Sequence, residues 1–324
     1  MKNKKILVLG GNGFIGKNIL IELIKNKKNK IFASLFKNKK GKLKNIKYYN
    51  VDLRNYKNCV KITKGKNIVF ICAATSSGAS DLEKNPLIHF KDNLLINLNV
   101  LDASTKNNVR KIIFISSNTV YPPSKNTVGE KDINYKLFSK YFVVGWMKLF
   151  SEISSEIFSK YKNTQSKVLI VRPGNLYGPN DKFQDHKSKV IPSLIKKFSN
   201  HKLYNKDIEI WGNGKDIKDF MFIKDFVTNL IRISFKFKEN DIINLASGKS
   251  VSLKKIINIL KKKLKVNNNS IRFNKSRPTM IPVRKISMHK VKRNYGLKIN
   301  YKLEDGLVHT IKWYKKNVIK QNTI

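Results

Sequence analysis

The sequence predicts an α/β protein, in which a doubly wound parallel sheet is followed by a smaller carboxy-terminal α/β domain. Two observations predict this fold. Short apolar runs alternate with helix-like segments over residues 6–172, and the first run, Ile6 to Leu9, leads directly into a glycine-rich turn. Alternating strands and helices imply right-handed crossovers, and therefore a parallel sheet.

The predicted strands and helices become shorter and more often interrupted near the middle of the chain. Strands are predicted at residues 6–9, 30–36, 46–51, 68–74, 111–116 and 168–172, with helices at 18–24, 94–103 and 142–161. Beyond Arg172, prolines and glycines break the chain, and shorter elements follow: helices at 190–198, 224–236, 253–264 and 303–316, and a strand at 209–211. We predict one domain over 1–172 and a second over 173–324, with part of 220–248 returning to the first. Because no Pro/Gly/Ser-rich linker separates them, we expect a single packed unit.

Composition and charge limit the class of protein. Of the 324 residues, 41% are hydrophobic, which is enough for a packed core. Lys and Arg number 67 against 21 Asp and Glu, a formal net charge of +46. A nucleic-acid footprint would be clustered on one face, whereas these lysines are spread along the chain. We therefore interpret the charge as compositional and expect no nucleic-acid partner, although a positive field speeds the arrival of anionic ligands.

The cysteines and apolar runs predict a location. Cys59 and Cys72 form neither a metal-spaced motif nor a disulfide framework, which favours a reducing compartment and no bound metal. The apolar run Ile6 to Leu9 is too short for a signal-peptide core. No run approaches the ~18 apolar residues of a membrane-spanning helix. We expect a cytoplasmic protein without membrane association.

Three glycines predict a dinucleotide site. Gly10, Gly13 and Gly16 follow the first strand and lead into the first helix, with Phe14 and Ile15 between the last two. Glycine permits a sharp turn, a close backbone approach to a pyrophosphate, and tight packing of helix on strand. The helix amino terminus then offers free N–H groups and a positive dipole to the phosphates.

The end of the second strand bears on the choice between NAD and NADP. NAD-binding proteins usually carry an acidic residue there, which accepts hydrogen bonds from the ribose 2′-hydroxyl. No acidic residue occurs between Glu22 and Asp52, and the strand ends in the run SLFK, whose last residue is Lys37. Since a cation suits the 2′-phosphate of NADP, we favour NADP over NAD. That Lys37 merely belongs to the general lysine excess stays open.

Several longer motifs occur in order along the chain. They are GGNGFIG (10–16), CAA (72–74), SSNTVYP (116–122), RPGNLYGP (172–179), WGNGKDIKDFMFIKD (211–225) and YGLKINYKLEDGLVHTIKWY (295–314). Together they resemble the extended short-chain dehydrogenase/reductase family, the NAD-dependent epimerases and dehydratases with a Rossmann fold. Its members act mostly on nucleotide sugars. The run NLYGPNDKF followed by VIPSLI is most similar to GDP-L-fucose synthases.

The resemblance implies roles for residues outside the glycine turn. Asp52 and Leu53 are expected to meet the adenine, and Ala73 and Ala74 to line the cofactor cleft. A nucleotide-diphosphate sugar is the expected partner, and its site is assigned to Asn175, Lys189, Val190, Lys218 and Arg277. The family usually has arginine at position 218, and lysine keeps the charge without the planar fork. Relatives commonly dimerise through the helix of the catalytic lysine and its neighbour, so a homodimer is expected.

The catalytic residues depart from the family pattern. The family uses a Ser or Thr, a Tyr and a Lys four residues after the Tyr. Ser117 and Lys148 match two of these positions, but the tyrosine position is Val144, which cannot carry a proton. The only Y-x-x-x-K spacing, Tyr121 to Lys125, contains two prolines and is therefore a loop rather than a helical pair.

Other residues are candidates for the missing acid–base chemistry. Tyr141 lies seven residues before Lys148, which is about 10 Å along a helix, and a packing role for it stays open. The cysteine and histidine of fucose synthases correspond to Thr119, a poor acid or base, and to Lys189, which would serve if burial lowered its pKa. His186, close by in the sequence, is an alternative.

Two functions therefore compete. The first is an NAD(P)-dependent nucleotide-sugar epimerase or 4-ketoreductase in cell-surface polysaccharide biosynthesis. The second is a protein of the same fold that binds dinucleotide and sugar nucleotide but whose catalysis is impaired, because of Val144.

Overall fold

A computed structural model describes residues 3–37, 41, 43–76, 79–161, 163–184, 188–277 and 281–319. The strands are β1 (Lys5–Leu9), β2 (Lys30–Leu35), β3 (Ile46–Asn50), β4 (Ile68–Ile71), β5 (Lys111–Ile115), β6 (Thr127–Val128), β7 (Lys167–Pro173), β8 (Asn175–Tyr177), β9 (Ile208–Trp211), β10 (Ile217–Phe222), β11 (Asp241–Leu245), β12 (Ser250–Ser252), β13 (Ile271–Asn274) and β14 (Val283–Ile286). The helices are α1 (Phe14–Leu23), α2 (Tyr56–Thr63), α3 (Ala79–Lys84), α4 (Phe90–Lys106), α5 (Phe142–Tyr161), α6 (Val190–Tyr204), α7 (Ile223–Lys236), α8 (Leu253–Leu264), α9 (His289–Tyr295) and α10 (Leu303–Tyr314).

The main sheet is parallel throughout and has seven strands in the order β3-β2-β1-β4-β5-β7-β11. Alternate residues of β1 pack into the apolar cores on opposite faces of the sheet. Ile6 and Val8 pack on the α1 side, and Leu7 and Leu9 pack on the α2 and α4 side. This arrangement confirms the predicted doubly wound sheet. Strand order reverses between β1 and β4, and ligands of such sheets bind in the crevice at that point.

The smaller part of the molecule is built from short strands and the later helices. One sheet has the order β12-β10-β14-β6, with β8 also paired to β10, and a separate pair joins β13 to β9. Two connections tie this part to the first half of the chain. Strand β6 comes from the first half, and β11 returns to the edge of the main sheet. One continuous apolar core runs from the main sheet into α6, α8 and α10.

Several predicted boundaries shift in the structure. Helix α1 begins at Phe14 rather than at residue 18, because Gly13 is its N-cap and the glycine turn leads straight into helix. Strand β2 ends at Leu35, and Lys37 adopts a left-handed φ of 58°. The sequence analysis missed α2, α3, α9 and most of the short strands, which are too brief for a clear apolar periodicity. Among the described residues, every helix is too short or too polar to cross a bilayer.

Candidate functional site

The glycine turn between β1 and α1 admits no side chain at two positions. Gly10 has a φ of +80°, and a Cβ there would lie 2.8 Å from the Cα of Ala73. A Cβ on Gly16 would lie 2.3 Å from the carbonyl oxygen of Gly10. The backbone of the turn therefore packs directly against the loop after β4 and against the first turn of α1. The structure brings Gly10, Gly16 and Ala73 together.

The start of α1 has the features of a phosphate site. Its N-cap, Gly13, provides no capping side chain, so the first-turn N–H groups, including those of Phe14 and Ile15, have no capping acceptor. The turn is held from the β2 side, where Ser34 accepts hydrogen bonds from the N–H of Gly10 (Oγ, 3.0 Å) and of Gly11 (carbonyl, 2.9 Å). Free amides, a positive helix dipole and a cradle closed to side chains fit a dinucleotide pyrophosphate.

Cations surround an exposed aromatic ring beyond the ends of β2 and β3. The Nζ of Lys37 and the guanidinium of Arg54 lie 5.7 and 5.5 Å from the centre of the Phe36 ring. Asp52 pairs with Arg54 at 2.7 Å, and the hydrogen bond from Arg54 holds the pKa of that carboxyl below its usual value. Leu53 is buried in the core. Asp52 is thus already engaged by a cation.

Ser117 and Thr119 form a hydroxyl pair just after β5. The Oγ of Ser117 accepts from the Oγ1 of Thr119 at 2.9 Å and from its backbone N–H at 3.1 Å. A hydroxyl has one proton and two acceptor positions. Within the described part of the chain, no acceptor takes the Ser117 proton, which remains available to a ligand.

Lys148 is enclosed at the same edge of the sheet. Its Nζ donates to the carbonyl of Ile115 at 2.9 Å and lies 4.9 Å from the centre of the Phe114 ring. Burial lowers the pKa of Lys148 to about 8. The thiol of Cys72, at the end of β4, is close enough to interact with this charge, and burial raises its pKa to about 12. Lys148 therefore exchanges a proton much nearer to neutral pH than an ordinary lysine.

Neither candidate tyrosine lies in α5 with Lys148, where residue 144 lies. Tyr141 lies in a short 3-10 turn, Ser139–Tyr141, and not in α5 with Lys148. Burial raises its pKa to about 12, and no nearby charge opposes this among the described residues. Tyr121 is buried and donates to the Oδ1 of Asn244 at 2.6 Å, whereas Lys125 is exposed. The lysine-assisted tyrosine of the family pattern is therefore absent from the described site.

A buried ion pair lies behind Ser117 and Lys148, and sequence reasoning missed it. Arg172 donates to both carboxylate oxygens of Glu152, at 3.1 and 2.6 Å, and the two side chains are 3% and 4% exposed. The same carboxylate accepts a short hydrogen bond from the Oγ of Ser116. Arg172 also donates to the Tyr121 hydroxyl at 3.2 Å. The pair thereby connects α5, which carries Lys148, to β7 and to the residue before Ser117.

The loop after β8 crosses the cleft and rests on the cofactor half. The Nδ2 of Asn18 in α1 donates to the carbonyl of Pro179 at 3.0 Å. The Nζ of Lys182 donates to the carbonyl and to the Oγ of Ser76 beyond β4, both at 3.2 Å. The loop that precedes α6 is therefore docked beside the glycine turn.

Lys189 and Val190 lie where this loop enters α6. Lys189 is the N-cap of the helix, and its Nζ lies 5.6 Å from the centre of the Phe14 ring at the start of α1. Burial raises the pKa of the neighbouring Asp181, and the charge of Lys189 opposes that rise. His186 lies outside the described residues. Lys189 thus lies between the start of α1 and the start of α6.

Asn175 and Lys218 lie on the adjacent strands β8 and β10. Asn175 is in register with Phe220, and its Nδ2 donates to the carbonyl of Asp219 at 3.0 Å. Lys218 is 9% exposed, and its Nζ lies 3.3 Å from the Oδ2 of Asp216. Both predicted substrate ligands are thus held in place by local polar contacts.

Arg277 lies in a separate group on the outer face of the β9–β13 pair. Its guanidinium is 5.6 Å from the centre of the Trp211 ring, and the Nζ of Lys197 in α6 is 5.5 Å from the same ring. Sequence reasoning missed Trp211 and Lys197. The alternation in the segment IEIW was the available signal, because it buries Ile208 and Ile210 and turns Glu209 and Trp211 outward.

Comparison with known proteins places this geometry in context. The family model described as NAD dependent epimerase/dehydratase family matches residues 6–246. The probable GDP-L-fucose synthase 1 of Oryza sativa subsp. japonica is 25% identical over 326 residues, covering 98% of this chain and 94% of that protein. The GDP-mannose 3,5-epimerase of Arabidopsis thaliana is 25% identical over 331 residues, covering 99% of this chain and 84% of that protein.

Solved structures agree on the fold. UDP-N-acetylglucosamine 4-epimerase from Methanobrevibacter ruminantium M1, in complex with UDP-N-acetylmuramic acid, superposes with a TM-score of 0.83 at 26% identity, over 99% of this chain and 100% of that one. UDP-glucose 4-epimerase from Thermotoga maritima, with UDP-glucose, has a TM-score of 0.84 at 23% identity, over 97% and 99% of the two chains. Given the family match over residues 6–246 and the glycine cradle that the family's cofactor requires, this chain belongs to the NAD-dependent epimerase/dehydratase family.

Proposed function

We propose that this protein is an NAD(P)-dependent nucleotide-sugar epimerase or 4-ketoreductase that supplies sugars for cell-surface polysaccharides. One observation carries the proposal. The cradle of Gly10 and Gly16 and the enclosed Lys148 with its neighbour Ser117 lie beyond the carboxyl ends of strands β1 and β5, at one edge of the main sheet. A bound nicotinamide dinucleotide supplies hydride transfer to or from a sugar carbon.

Ser117 and Lys148 carry the proton chemistry in this proposal. The Ser117 hydroxyl, which accepts two hydrogen bonds from Thr119, donates its own proton toward the reacting sugar oxygen. Lys148, with its pKa lowered to about 8 by burial, releases and regains a proton near neutral pH. A catalytic group is most effective when its pKa lies near the working pH, so Lys148 replaces the acid–base role that valine at position 144 cannot fill.

We propose NADP as the preferred cofactor. Lys37 and Arg54 flank the Phe36 ring at the end of β2, and no acidic residue lies between Glu22 and Asp52 in the sequence. A 2′-phosphate gains from nearby cations, whereas the 2′-hydroxyl of NAD usually requires a carboxylate at this position.

The sugar nucleotide lies, in this proposal, between α6 and the β9–β13 pair. Lys197 and Arg277, both within 6 Å of the Trp211 ring, attract the diphosphate. A guanidinium binds two phosphate oxygens at once. Lys218 and Asn175, on β10 and β8, complete the polar lining on the side of the main sheet.

The protein works in the cytoplasm in this proposal. Cys59 and Cys72 are both unpaired thiols, and free buried thiols suit a reducing compartment.

A second candidate is favoured by one specific observation, which is the valine at position 144. In that case the protein binds dinucleotide and sugar nucleotide but does not catalyse hydride transfer. The partly buried hydrogen bond from Lys148 to Ile115 is then a structural contact only.

Nicotinamide absorbance together with analysis of the sugar products distinguishes the two candidates, because a reductase consumes the reduced cofactor whereas an epimerase returns its hydride to the sugar. The purified chain is mixed with NADPH or NADH, or with their oxidised forms, and with a panel of GDP-, UDP- and dTDP-sugars. We expect turnover by the native protein and at least a hundredfold loss in Lys148→Met, the scale of a lost acid–base group.

A paired variant tests the second candidate. Val144→Tyr places a hydroxyl one helical turn from Lys148, and Val143→Tyr places the same group on another face of α5. An inactive native protein that gains activity in Val144→Tyr, but not in Val143→Tyr, supports the impaired binding protein. Absence of binding by both dinucleotides, at micromolar protein and moderate salt, contradicts both candidates.

We also propose a homodimer formed through α5 and its neighbour α4. An apolar stripe runs along the exposed side of α5, with Phe142, Phe150, Ile153, Ile157 and Tyr161 between 45% and 73% exposed. Their spacing places them along one side of the helix. A contiguous apolar patch of this kind marks an interaction surface on soluble proteins.

Ile153→Lys should convert the dimer to a monomer, because a lysine in the centre of an apolar interface has no partner for its charge. Sedimentation or light scattering gives the mass. Leu203→Lys, at a 49% exposed leucine of α6, is the matched control and should leave the dimer intact. A native protein that is monomeric at tens of micromolar, or a dimeric Ile153→Lys, contradicts this surface.

A further inference from the structure

Gly145 is a buried glycine inside helix α5, one residue after Val144 and three residues before Lys148. Glycine is less favourable than alanine in a helix interior. A Cβ at this position would lie 2.8 Å from the carbonyl oxygen of Thr119 and 2.7 Å from the Cδ1 of Leu137. Both distances are too short for a Cβ atom. The glycine therefore lets the backbone of α5 lie directly against the backbone of Thr119.

The turn that carries Thr119 is held on its other side. This 3-10 turn, Asn118–Val120, follows β5, and the Nδ2 of Asn118 donates to the carbonyl of Pro173 in β7 at 2.9 Å. Thr119 in turn donates its N–H and its hydroxyl to the Oγ of Ser117, at 3.1 and 2.9 Å. The turn thus cannot move away from α5 without disturbing these hydrogen bonds.

Two contacts join α5 to the segment 115–119, and they lie on neighbouring positions of the helix. Gly145 lies against the carbonyl of Thr119, and the Nζ of Lys148 donates to the carbonyl of Ile115 at 2.9 Å. Residues three apart on a helix are neighbours on its surface. Ser117 lies between the two contact points in the chain. The approach of α5 at the glycine therefore fixes how far the lysine lies from the serine.

We propose that Gly145 is a positioning residue that sets the distance between Lys148 and the Ser117 hydroxyl. It does so because it lets α5 approach the carbonyl of Thr119, and its consequence for catalysis rests on the proposed function. A methyl group at position 145 must push this part of α5 away from the turn, since a backbone carbonyl cannot rotate aside as a side chain can. Lys148 then loses its close contact with Ile115 and gains water.

The titration of Lys148 reports this spacing without any need for activity. Among the described residues, the titratable groups that face it are Glu152 on its own helix and the thiol of Cys72 at the end of β4. Burial lowers the pKa of Lys148 to about 8. Water favours the charged form of a lysine, so looser packing should raise this pKa toward its ordinary value. Glu152 moves with the same helix and continues to favour the charge.

Gly145→Ala in the full chain tests the proposal. The native and variant proteins are labelled with limiting acetic anhydride over a range of pH, and mass spectrometry of the peptide containing Lys148 gives the extent of labelling. We expect the midpoint of Lys148 to rise by about one pH unit or more. With a sugar nucleotide that the native protein converts, kcat should fall about tenfold to a hundredfold, the effect of a displacement of about 1 Å, while KM stays near its native value.

Gly306→Ala is the matched control. Gly306 is also a buried helical glycine, in α10, and a Cβ there would lie 2.3 Å from the hydroxyl oxygen of Tyr177 and 3.0 Å from the Cδ2 of Phe222. The same substitution therefore creates crowding in a different helix. It should lower the melting temperature but leave the titration of Lys148 unchanged.

A double variant separates the two contacts of Gly145. Gly145→Ala combined with Leu137→Ala removes the crowding against a side chain, so it should fold more readily than the single variant. The carbonyl of Thr119 remains in place, and the midpoint of Lys148 should therefore stay raised. Recovery of the native midpoint would assign the crowding to Leu137 and overturn the role of the Thr119 backbone.

The remaining outcomes separate this proposal from the proposed function. An unchanged midpoint of Lys148 in Gly145→Ala overturns the positioning role and leaves the nucleotide-sugar function standing. Equal shifts in Gly145→Ala and Gly306→Ala also overturn it, because general loosening of the fold then explains both. If the native protein neither binds dinucleotide nor converts any sugar nucleotide, the proposed function is wrong, whereas a midpoint raised only in Gly145→Ala still supports the spacing role.

Discussion

Gly10→Ala is expected to abolish dinucleotide binding. A Cβ at this position would lie 2.8 Å from the Cα of Ala73 and 2.9 Å from its N, which are backbone atoms that cannot rotate away. The φ of +80° adds strain for any residue with a side chain. The turn must move, and the first-turn N–H groups of α1 then leave the pyrophosphate position. Losing two hydrogen bonds to a charged group weakens NADPH binding about a hundredfold or more, as measured by fluorescence titration.

Gly65→Ala is the matched control for this prediction. Gly65 also has a positive φ, +67°, but a Cβ there has no neighbour within 4 Å. The substitution should lower the free energy of unfolding by about 1–2 kcal/mol, the usual strain of a left-handed residue, and leave NADPH affinity unchanged. If Gly10→Ala binds NADPH as the native protein does, or if both variants lose affinity equally, the glycine turn is not the phosphate site.

Arg172→Met is expected to be the most destabilising single substitution proposed for this protein. It leaves the carboxylate of Glu152, only 4% exposed, without its cation. Removing one member of a buried pair costs about 3–5 kcal/mol in the free energy of unfolding, because a charge remains in a medium that solvates it poorly. Tyr121 also loses a hydrogen bond. Urea unfolding followed by far-UV circular dichroism measures the loss.

Two further variants test this assignment. Arg272→Met makes the same change at an exposed pair, since Arg272 and Asp207 are 76% and 60% exposed, and it should cost less than about 1 kcal/mol. The double variant Arg172→Met with Glu152→Gln should recover part of the loss, because it removes the unpaired charge. Equal costs for the two single Arg→Met variants would refute a special role for the buried pair.

The ion pair also affects the proposed chemistry. Glu152 lies one turn after Lys148 on α5, and its charge raises the pKa of Lys148 against the lowering by burial. The short hydrogen bond between Ser116 and Glu152 anchors the residue next to Ser117. The same contacts that stabilise the fold therefore fix the position of Lys148 relative to the Ser117–Thr119 hydroxyl pair, the groups that carry the proposed chemistry.

Features that depend on residues close together in the chain could be predicted from the sequence, and features that depend on distant residues could not. The glycine turn was predictable, because the requirements of Gly10 and Gly16 arise within one strand–turn–helix unit. Helix α5 was predicted with its observed bounds, Phe142–Tyr161, since its apolar residues recur at helical spacing over many turns. Short strands such as β8 and β14 were missed, because three or four residues carry too little periodicity.

The state of the candidate catalytic residues was not predictable from local patterns. The sequence identified Lys148 and the valine at position 144, but the pKa of Lys148 depends on burial among residues from β4 and β5. Tyr141 lies in a 3-10 turn directly before α5, which begins at Phe142 as predicted, so Tyr141 does not share a helix with Lys148. A break between a 3-10 turn and a helix depends on packing and not on apolar spacing.

The sequence by itself determined the parallel α/β order, the glycine turn and the valine at position 144, four residues before Lys148, because each of these features is set by residues close together in the chain. Only the tertiary structure decided that Glu209 meets Asn274, 65 residues away, and that Arg172 neutralises Glu152 in the interior. Such contacts join distant segments, and they form only when complete layers pack and water is excluded between them. For that reason the surroundings of the candidate site residues were decided by the fold, whereas the class of fold was already evident in the order of strands and helices.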